Sequence, residues 1–116
     1  MLKVMLLVRR KEGMTREQFR EYYERNHAVL AARHMSRCVR YVRNHVREEP
    51  SGPQDFDVIT EFWFDIEPTA EALYAMADAA TVALLEEDEE RFMDRASMRV
   101  ITVWEDETDP SELQGG

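Results

Sequence analysis

A chain of 116 residues, 44% apolar and 34% charged, has the composition of one globular domain and not of a disordered segment. Its net charge of −9 is concentrated in Glu86–Glu90 and in Glu105, Asp106, Glu107, Asp109 and Glu112, leaving 14 acids against 15 bases elsewhere. A single cysteine, Cys38, excludes an internal disulfide framework and an intrachain thiolate cluster, and no apolar run reaches the ~20 residues of a membrane-spanning helix.

The first segment, Leu2 to Arg10, is a Val- and Leu-rich run bounded by Glu12-Gly13 and reads as a strand. It is too short to span a membrane. Its apolar part ends at Val8, and Arg9, Arg10 and Lys11 follow where a signal peptide would have small residues, so a cytoplasmic location is expected. Thr15-Arg16-Glu17-Gln18 matches a capping box. Beyond it Phe19, Tyr22, Tyr23, Asn26, His27 and Leu30 follow the spacing of one helical face, predicting a helix that ends near Ala32 to His34.

Between Arg37 and Arg47 the pattern alternates, with Val39, Tyr41, Arg43 and His45 on one face of a strand and Cys38, Arg40, Val42, Asn44 and Val46 on the other. Glu48 to Pro53 is a loop by composition. Asp55 to Asp65 predicts a strand covered on both sides, with Phe56, Val58, Thr60, Phe62 and Phe64 opposite Asp57, Ile59, Glu61 and Trp63. Pro68-Thr69 opens a second helix striped by Leu73, Met76, Ala77, Ala80 and Leu84, where the alanines at 75, 77, 79 and 80 allow close packing on a sheet. The acidic run after Leu85 reads as a solvated turn or a fraying helix end. Phe92 and Met93 return the chain to the core, and Arg99 to Trp104 is the last strand. Residues 1–105 thus form the domain and 106–116 a mobile acidic tail.

The order β-α-β-β-α-β predicts a ferredoxin-like α+β sandwich, a four-stranded antiparallel sheet with two helices on one face. The other face would then expose an apolar patch containing Ile59 and Trp63. Sheet-to-sheet pairing of two copies into a dimeric α+β barrel would bury it, which makes a homodimer the expected assembly. Residues 1–47 carry 12 Lys and Arg against 4 acids. An anionic ligand, a nucleic acid, or acidic segments folded back on a basic half would each answer that asymmetry. Nucleic acid is not expected, because the overall charge repels phosphate and neither a ribonucleoprotein motif nor a helix-turn-helix pattern is present.

The blocks Lys3-Val4-Met5-Leu6-Leu7-Val8-Arg9-Arg10, Gly13-Met14-Thr15, Phe19-Arg20-Glu21-Tyr22-Tyr23, Asn26-His27, Arg40 to His45 and Phe56 to Phe64 together resemble the EthD-like family, over nearly the whole chain to about Trp104. The resemblance implies a dimeric α+β barrel with a substrate pocket between helices and sheet. It also implies kinship with cofactor-free methylmuconolactone isomerases, polyketide cyclases or dehydratases and quinone-forming monooxygenases. The histidine of the first helix in that family matches His27. The third-strand cysteine of the most similar isomerases falls on Phe62, so a thiol-dependent mechanism is not expected here.

The candidate catalytic residues are therefore His27, Tyr23 one turn before it, and His45. His45 either lies exposed at a strand end or completes an acid–base pair with His27 if its face looks toward the helices. The candidate substrate-binding residues are Asn26, Thr60, Phe62, Phe64 and Met76. Tyr22 is read as filling space, and Asp57 and Glu61 as meeting arginines such as Arg40 or Arg99 across an interface. Three histidines at 27, 34 and 45 lack the spacing of a metal site, no Gly-rich phosphate loop is present, and no cofactor is expected. The expected function is His-mediated proton transfer on a hydrophobic cyclic or aromatic small molecule. The alternatives are a non-catalytic binding or accessory protein and a haem-binding barrel.

Overall fold

The computed structural model describes residues 1–115. Four strands, β1 (Leu2–Arg10), β2 (Cys38–His45), β3 (Val58–Phe64) and β4 (Met93–Val103), form one sheet in the order β2-β3-β1-β4. Every neighbouring pair is antiparallel, with Leu6 opposite both Thr60 of β3 and Val100 of β4. This is the split β-α-β arrangement expected of a ferredoxin-like α+β fold.

The first helical layer starts as the sequence dictates. Thr15 Oγ1 accepts from the Gln18 amide while Gln18 Oε1 accepts from the Thr15 amide, closing the capping box. From there α1 (Arg16–Tyr22) passes through one π-helical turn, Tyr23–His27, into α2 (Ala28–His34). In that turn the Ala28 N–H reaches back to the Tyr23 carbonyl, five residues away. A π turn advances each residue by less than the α-helix's roughly 100°. Tyr23 and His27 therefore both stay on the buried face, whereas Asn26, placed on that face by a regular helical period, rotates off it and is exposed.

Alternation in β1 sends Leu2, Val4, Leu6 and Val8 toward the helices. The main core joins Leu6, Val8, Val58 and Met93 of the sheet to Phe19, Tyr23, Ala28 and Phe92. A second cluster sets Leu2, Val4 and Phe64 against Phe62, Ile66, Leu73 and Met76.

The second helix departs from its expected form. It is two helices, α3 (Ala70–Met76) and α4 (Ala79–Glu89), broken where Asp78 accepts from the Thr81 amide and caps a fresh start. The break turns Ala75, Ala77, Ala79 and Ala80 to solvent, so they do not pack on the sheet, and Leu84 is exposed as well. The acidic run is neither a turn nor a frayed end: Glu86 to Glu89 form the last turn of α4 and Asp88 is buried. The last strand begins at Met93, earlier than expected, because β4 pairs along almost all of β1 with a register shift between Leu7 and Arg9.

The open face of the sheet also differs from expectation. Trp63 is buried, with the Lys3 ammonium and the Arg40 guanidinium each 4.5 Å from its ring centre. Its indole N–H donates to Glu105, and Lys3 bridges Glu61 and Glu105 at 2.8 Å each. The apolar part of this face is Met5, Leu7 and Ile59, half-buried, with Ile101 exposed beside them. Residues 104–115 are exposed and include a short 3₁₀ turn, Pro110–Glu112; Gly116, the end of the expected tail, lies outside the described residues. No helix among the described residues is long and apolar enough to cross a membrane.

Asp57 does not face an interface. It precedes β3, and its carboxylate accepts from the Arg10 amide (2.8 Å), Arg10 Nη1 (2.7 Å) and Arg16 Nε (2.9 Å), tying β1, α1 and β3 together. Burial pushes this carboxyl up, but the Arg10 and Arg16 hydrogen bonds and charges outweigh it and hold it below its ordinary value. Asp57→Asn leaves two partly solvated guanidinium groups facing a neutral amide. We expect it to lower stability by about 2 kcal/mol in urea unfolding at pH 7, with the difference shrinking as the pH falls through the range in which Asp57 protonates.

Candidate functional site

The π turn delivers His27 to the seam between the first helix and α4. There His27 Nδ1 lies 2.9 Å from Asp88 Oδ2, and the imidazole is 4% exposed. Asp88 Oδ1 accepts from the Tyr22 hydroxyl at 2.6 Å and from Arg91 Nη1 at 3.1 Å. The rings of Phe92 (5.0 Å) and Tyr23 (5.5 Å) close around the imidazole.

Burial pushes the Asp88 carboxyl up, but hydrogen bonds from Tyr22, His27 and Arg91 outweigh it and keep the carboxylate ionised. An ionised acceptor at Nδ1 assigns the ring proton to that nitrogen and leaves the Nε2 lone pair free. Burial lowers the pKa of His27 against the opposing pull of Asp88, so the ring is neutral near pH 7. Its Nε2 faces Glu89 Oε2 at 3.9 Å. Glu89 is itself largely buried, and burial raises its pKa to about 7 despite Arg95 Nε at 3.3 Å on the other carboxyl oxygen.

The remaining candidates fall into two groups. Tyr23 and Thr60 share a buried hydrogen bond of 2.7 Å between their hydroxyls, and the Tyr41 hydroxyl points at that of Tyr23 from 3.4 Å. Burial raises the pKa of both phenols, so both remain donors. Phe62 stacks on Tyr41 (4.9 Å) and on Phe64 (5.8 Å), and Met76 packs against the same cluster at the other end of the sheet. Asn26 belongs to neither group.

His45 is neither exposed nor paired with His27. Its strand face does look toward the helices, but the Tyr23 ring stands between the imidazoles, 5.5 Å from one and 5.6 Å from the other. His45 Nε2 instead lies 2.8 Å from Glu24 Oε2, while its Nδ1 is buried without a partner. Arg43 grips the same carboxylate with two bonds, 2.6 and 3.0 Å. The Arg43 hydrogen bonds, and then the one from His45, hold Glu24 down to about 2 against its partial burial.

Tyr22, Asp88 and Glu89 were missed as site residues. A signal for the two acids exists in the sequence, because Leu85, Asp88, Glu89 and Phe92 follow the same helical spacing as the apolar stripe that precedes them. Charge alone assigned that run to solvent.

A groove of ≈ 900 Å³ lies over Asp57, Arg10 and Arg16 and runs to Met93 and Arg95. A second, of ≈ 530 Å³, is bounded by Phe19, Arg20, His45 and Arg47, and a third, of ≈ 440 Å³, by Glu24, Ala28, Tyr41 and Arg43. His27 lines none of the three. Among the described residues no group of three or more His, Cys, Asp or Glu side chains is arranged to hold a metal ion. Two of the three imidazoles are held by carboxylates, and His34, at the end of α2, is the exposed one.

Sheet order and the helical layer on one face define a ferredoxin-like α+β protein with a buried histidine–carboxylate pair. The EthD domain model matches residues 11–96, and the chain belongs to that family. It is similar in structure to an EthD family protein from Bacillus halodurans, with 20% identity, a TM-score of 0.67 and coverage of 90% of this chain and 98% of that one. An EthD-like protein from Ralstonia eutropha shows 21% identity, a TM-score of 0.57 and coverage of 88% and 86%. A dimeric ferredoxin-like protein of unknown function from Thermobifida fusca shows 10% identity, a TM-score of 0.57 and coverage of 88% of each chain. No curated protein matches the sequence.

The raised pKa of Glu89 has a sign that can be checked. Its folded value, about 7, lies above the ordinary 4.5, so the native state binds a proton that the unfolded chain has released, and stability falls as pH rises from 4.5 through 7. Glu89→Gln removes that loss. We expect the variant to be more stable than the parent at pH 8, by at most about 3 kcal/mol, and to lack the decline between pH 5 and roughly 8 in thermal unfolding.

Proposed function

We propose that the protein is a cofactor-independent enzyme of small-molecule metabolism that uses His27 to move a proton on a hydrophobic cyclic or aromatic substrate. The observation that carries this reading is the His27–Asp88 hydrogen bond. It fixes the tautomer with the proton on Nδ1 and leaves a neutral imidazole whose Nε2 can accept a proton near pH 7. Removal of a proton beside a carbonyl or from a phenol begins isomerisation, dehydration with cyclisation, and oxygenation alike. Tyr23, kept protonated by burial, is suited to donate to a substrate oxygen once its bond to Thr60 is exchanged. Phe62, Phe64 and Met76 supply apolar surface on the same side of the sheet. Membership of the EthD family supports the same class of chemistry.

In this reading the working form is a homodimer joined through the open sheet face, as the dimeric ferredoxin-like relatives suggest. A cytoplasmic setting belongs to it too, since a lone half-buried thiol needs no oxidising compartment. A second reading, a non-catalytic binding or accessory protein, is favoured by one observation: His27 is buried and lines none of the three grooves.

The two readings separate on one variant. With a substrate found by screening cyclic ketones, lactones and phenols, His27→Ala is expected to lower turnover by about 10²- to 10⁴-fold with the fold retained by circular dichroism. Unchanged turnover removes the catalytic reading. Ile101→Arg places a charge on the apolar part of the open face, and we expect it to shift sedimentation from dimer to monomer.

A further inference from the structure

The free nitrogen of His27 faces a second titratable group and not a backbone carbonyl. Glu89 Oε2 stands 3.9 Å from Nε2, beyond hydrogen-bond reach, while Oε1 is taken by Arg95. The two groups are thus close enough to serve different atoms of one substrate, the hydrogen-bearing carbon at Nε2 and the carbonyl oxygen at Oε2. The charged and titratable groups around the pair are Asp88 and Glu86 on α4, Arg91 just beyond it, Arg95 on β4, and Tyr22 and Tyr23 on the first helix.

We propose that Glu89 is the proton-donating partner of His27, the two forming a single acid–base pair that acts on enolisable cyclic carbonyl compounds. This rests on the reading of His27 as the proton-transfer residue and names its second group and substrate class. In the forward step Nε2 takes a proton from the carbon beside the carbonyl. The C–H electron pair becomes the C=C bond of an enol, and the carbonyl oxygen takes the proton of the Glu89 carboxylic acid. The substrate stays neutral while His27 becomes imidazolium and Glu89 carboxylate. Where a second C=C adjoins the carbon that lost its proton, the enol is a dienol. The His27 proton then goes to the far end of that C=C and both double bonds shift by one position. The enol proton returns to Glu89 as the carbonyl re-forms, and the isomerisation is complete with both groups reset. No oxidant or further reactant is needed.

Geometry sets the direction of these roles. Asp88, with three donors, is ionised and serves to orient the ring; Glu89, largely withdrawn from water and given one guanidinium, is the carboxyl able to carry a proton near neutrality. Burial holds the histidine below its ordinary value of 6.5, and Glu89 stands near 7. A pH interval therefore exists in which the ring is free as a base while the carboxyl is still an acid.

The test is an NMR titration of the His27 ring nitrogens and the Glu89 side-chain carboxyl in the full chain, with Glu89→Gln and Arg95→Gln beside it. The expected parent shows Glu89 titrating near 7 and the same step appearing in the His27 signals. In Glu89→Gln the step near 7 vanishes from the His27 signals while the main His27 midpoint stays near the parent's, because Glu89 is already protonated where the ring titrates. Arg95→Gln keeps the coupling and moves the Glu89 step upward. A His27 curve identical in the parent and in Glu89→Gln overturns the pairing, as does a curve in which Arg95→Gln alone abolishes the step.

A second arm follows exchange of the protons beside the carbonyl of 2-tetralone in D₂O. If Glu89→Gln slows exchange about 100-fold and removes the alkaline limb of its pH profile, the donor role stands. If His27→Ala stops exchange and Glu89→Gln does not slow it, Glu89 is not the donor while the reading of His27 survives. If exchange is indifferent to His27→Ala, it is the reading of His27 that fails, and the titration still decides the pairing.

Discussion

A carboxylate placed in an apolar seam must be hydrogen-bonded or it unfolds the seam, and Asp88 is the point at which this constraint acts on the fold. It is the one buried residue of α4, and α3 buries none. The acidic helix therefore stays on the body of the domain less through an apolar stripe of its own than through three donors that reach Asp88 from Tyr22, His27 and Arg91. Two of those donors lie on the first helix. The contact that docks α4 is thus the one that fixes the orientation and tautomer of His27, and docking and chemistry share one carboxylate.

The π turn makes that sharing geometrically possible. In a regular helix Tyr23 and His27 would straddle the centre of the buried face and Asn26 would flank them. Widening by one residue brings Tyr23 over the sheet, where it meets Thr60, and His27 over α4, where it meets Asp88. Phe92, the residue that returns the chain toward β4, is in ring contact with Phe19, Tyr22, Tyr23 and His27. The apolar contacts position the layer, and the polar ones specify which rotamers within it are held.

Much of this was legible in the sequence wherever one local rule acted alone. The capping box at Thr15, the strand β1 and the common face of Tyr41, Arg43 and His45 follow from composition and spacing, and so did the element order; which way that face looks did not. Legibility failed where a rule met a competitor. Asp78 offered a second cap inside a helical stripe and broke the helix, which turned four alanines to solvent. Trp63 was expected as an exposed apolar residue because alternation places it on the open face, but periodicity is blind to the Lys3 and Arg40 side chains that cover it. The spacing of Asp57 fitted the β3 period, yet its carboxylate is drawn out of that pattern by Arg10 and Arg16, residues 47 and 41 positions away. Long-range charge pairing leaves no trace in a local period.

The same limit explains why the acidic run was misplaced, and its resolution shows what distinguishes the members of the run. Glu86, Glu87 and Glu90 are exposed, and each lies within 4 Å of Arg91 or Arg95. Such pairs add little to stability. Asp88 and Glu89 are adjacent and both withdrawn from water, yet burial acts on them to opposite effect because the donors are unequally divided. Three donors converge on Asp88 and keep it charged; Glu89 receives a guanidinium on one oxygen and leaves the other toward His27. Two neighbouring carboxyl groups are in this way driven apart in proton affinity, one fixed as an anion and one held as an acid, on either side of a single imidazole. The basic N-terminal half left three readings open: an anionic ligand, a nucleic acid, or acidic segments folded back on it. In the folded chain Arg91 and Arg95 answer the acids of α4, while in the basic half Lys3 meets Glu61 and Glu105, Arg9 meets Asp94, and Arg10 and Arg16 meet Asp57, so part of the asymmetry is consumed within the molecule.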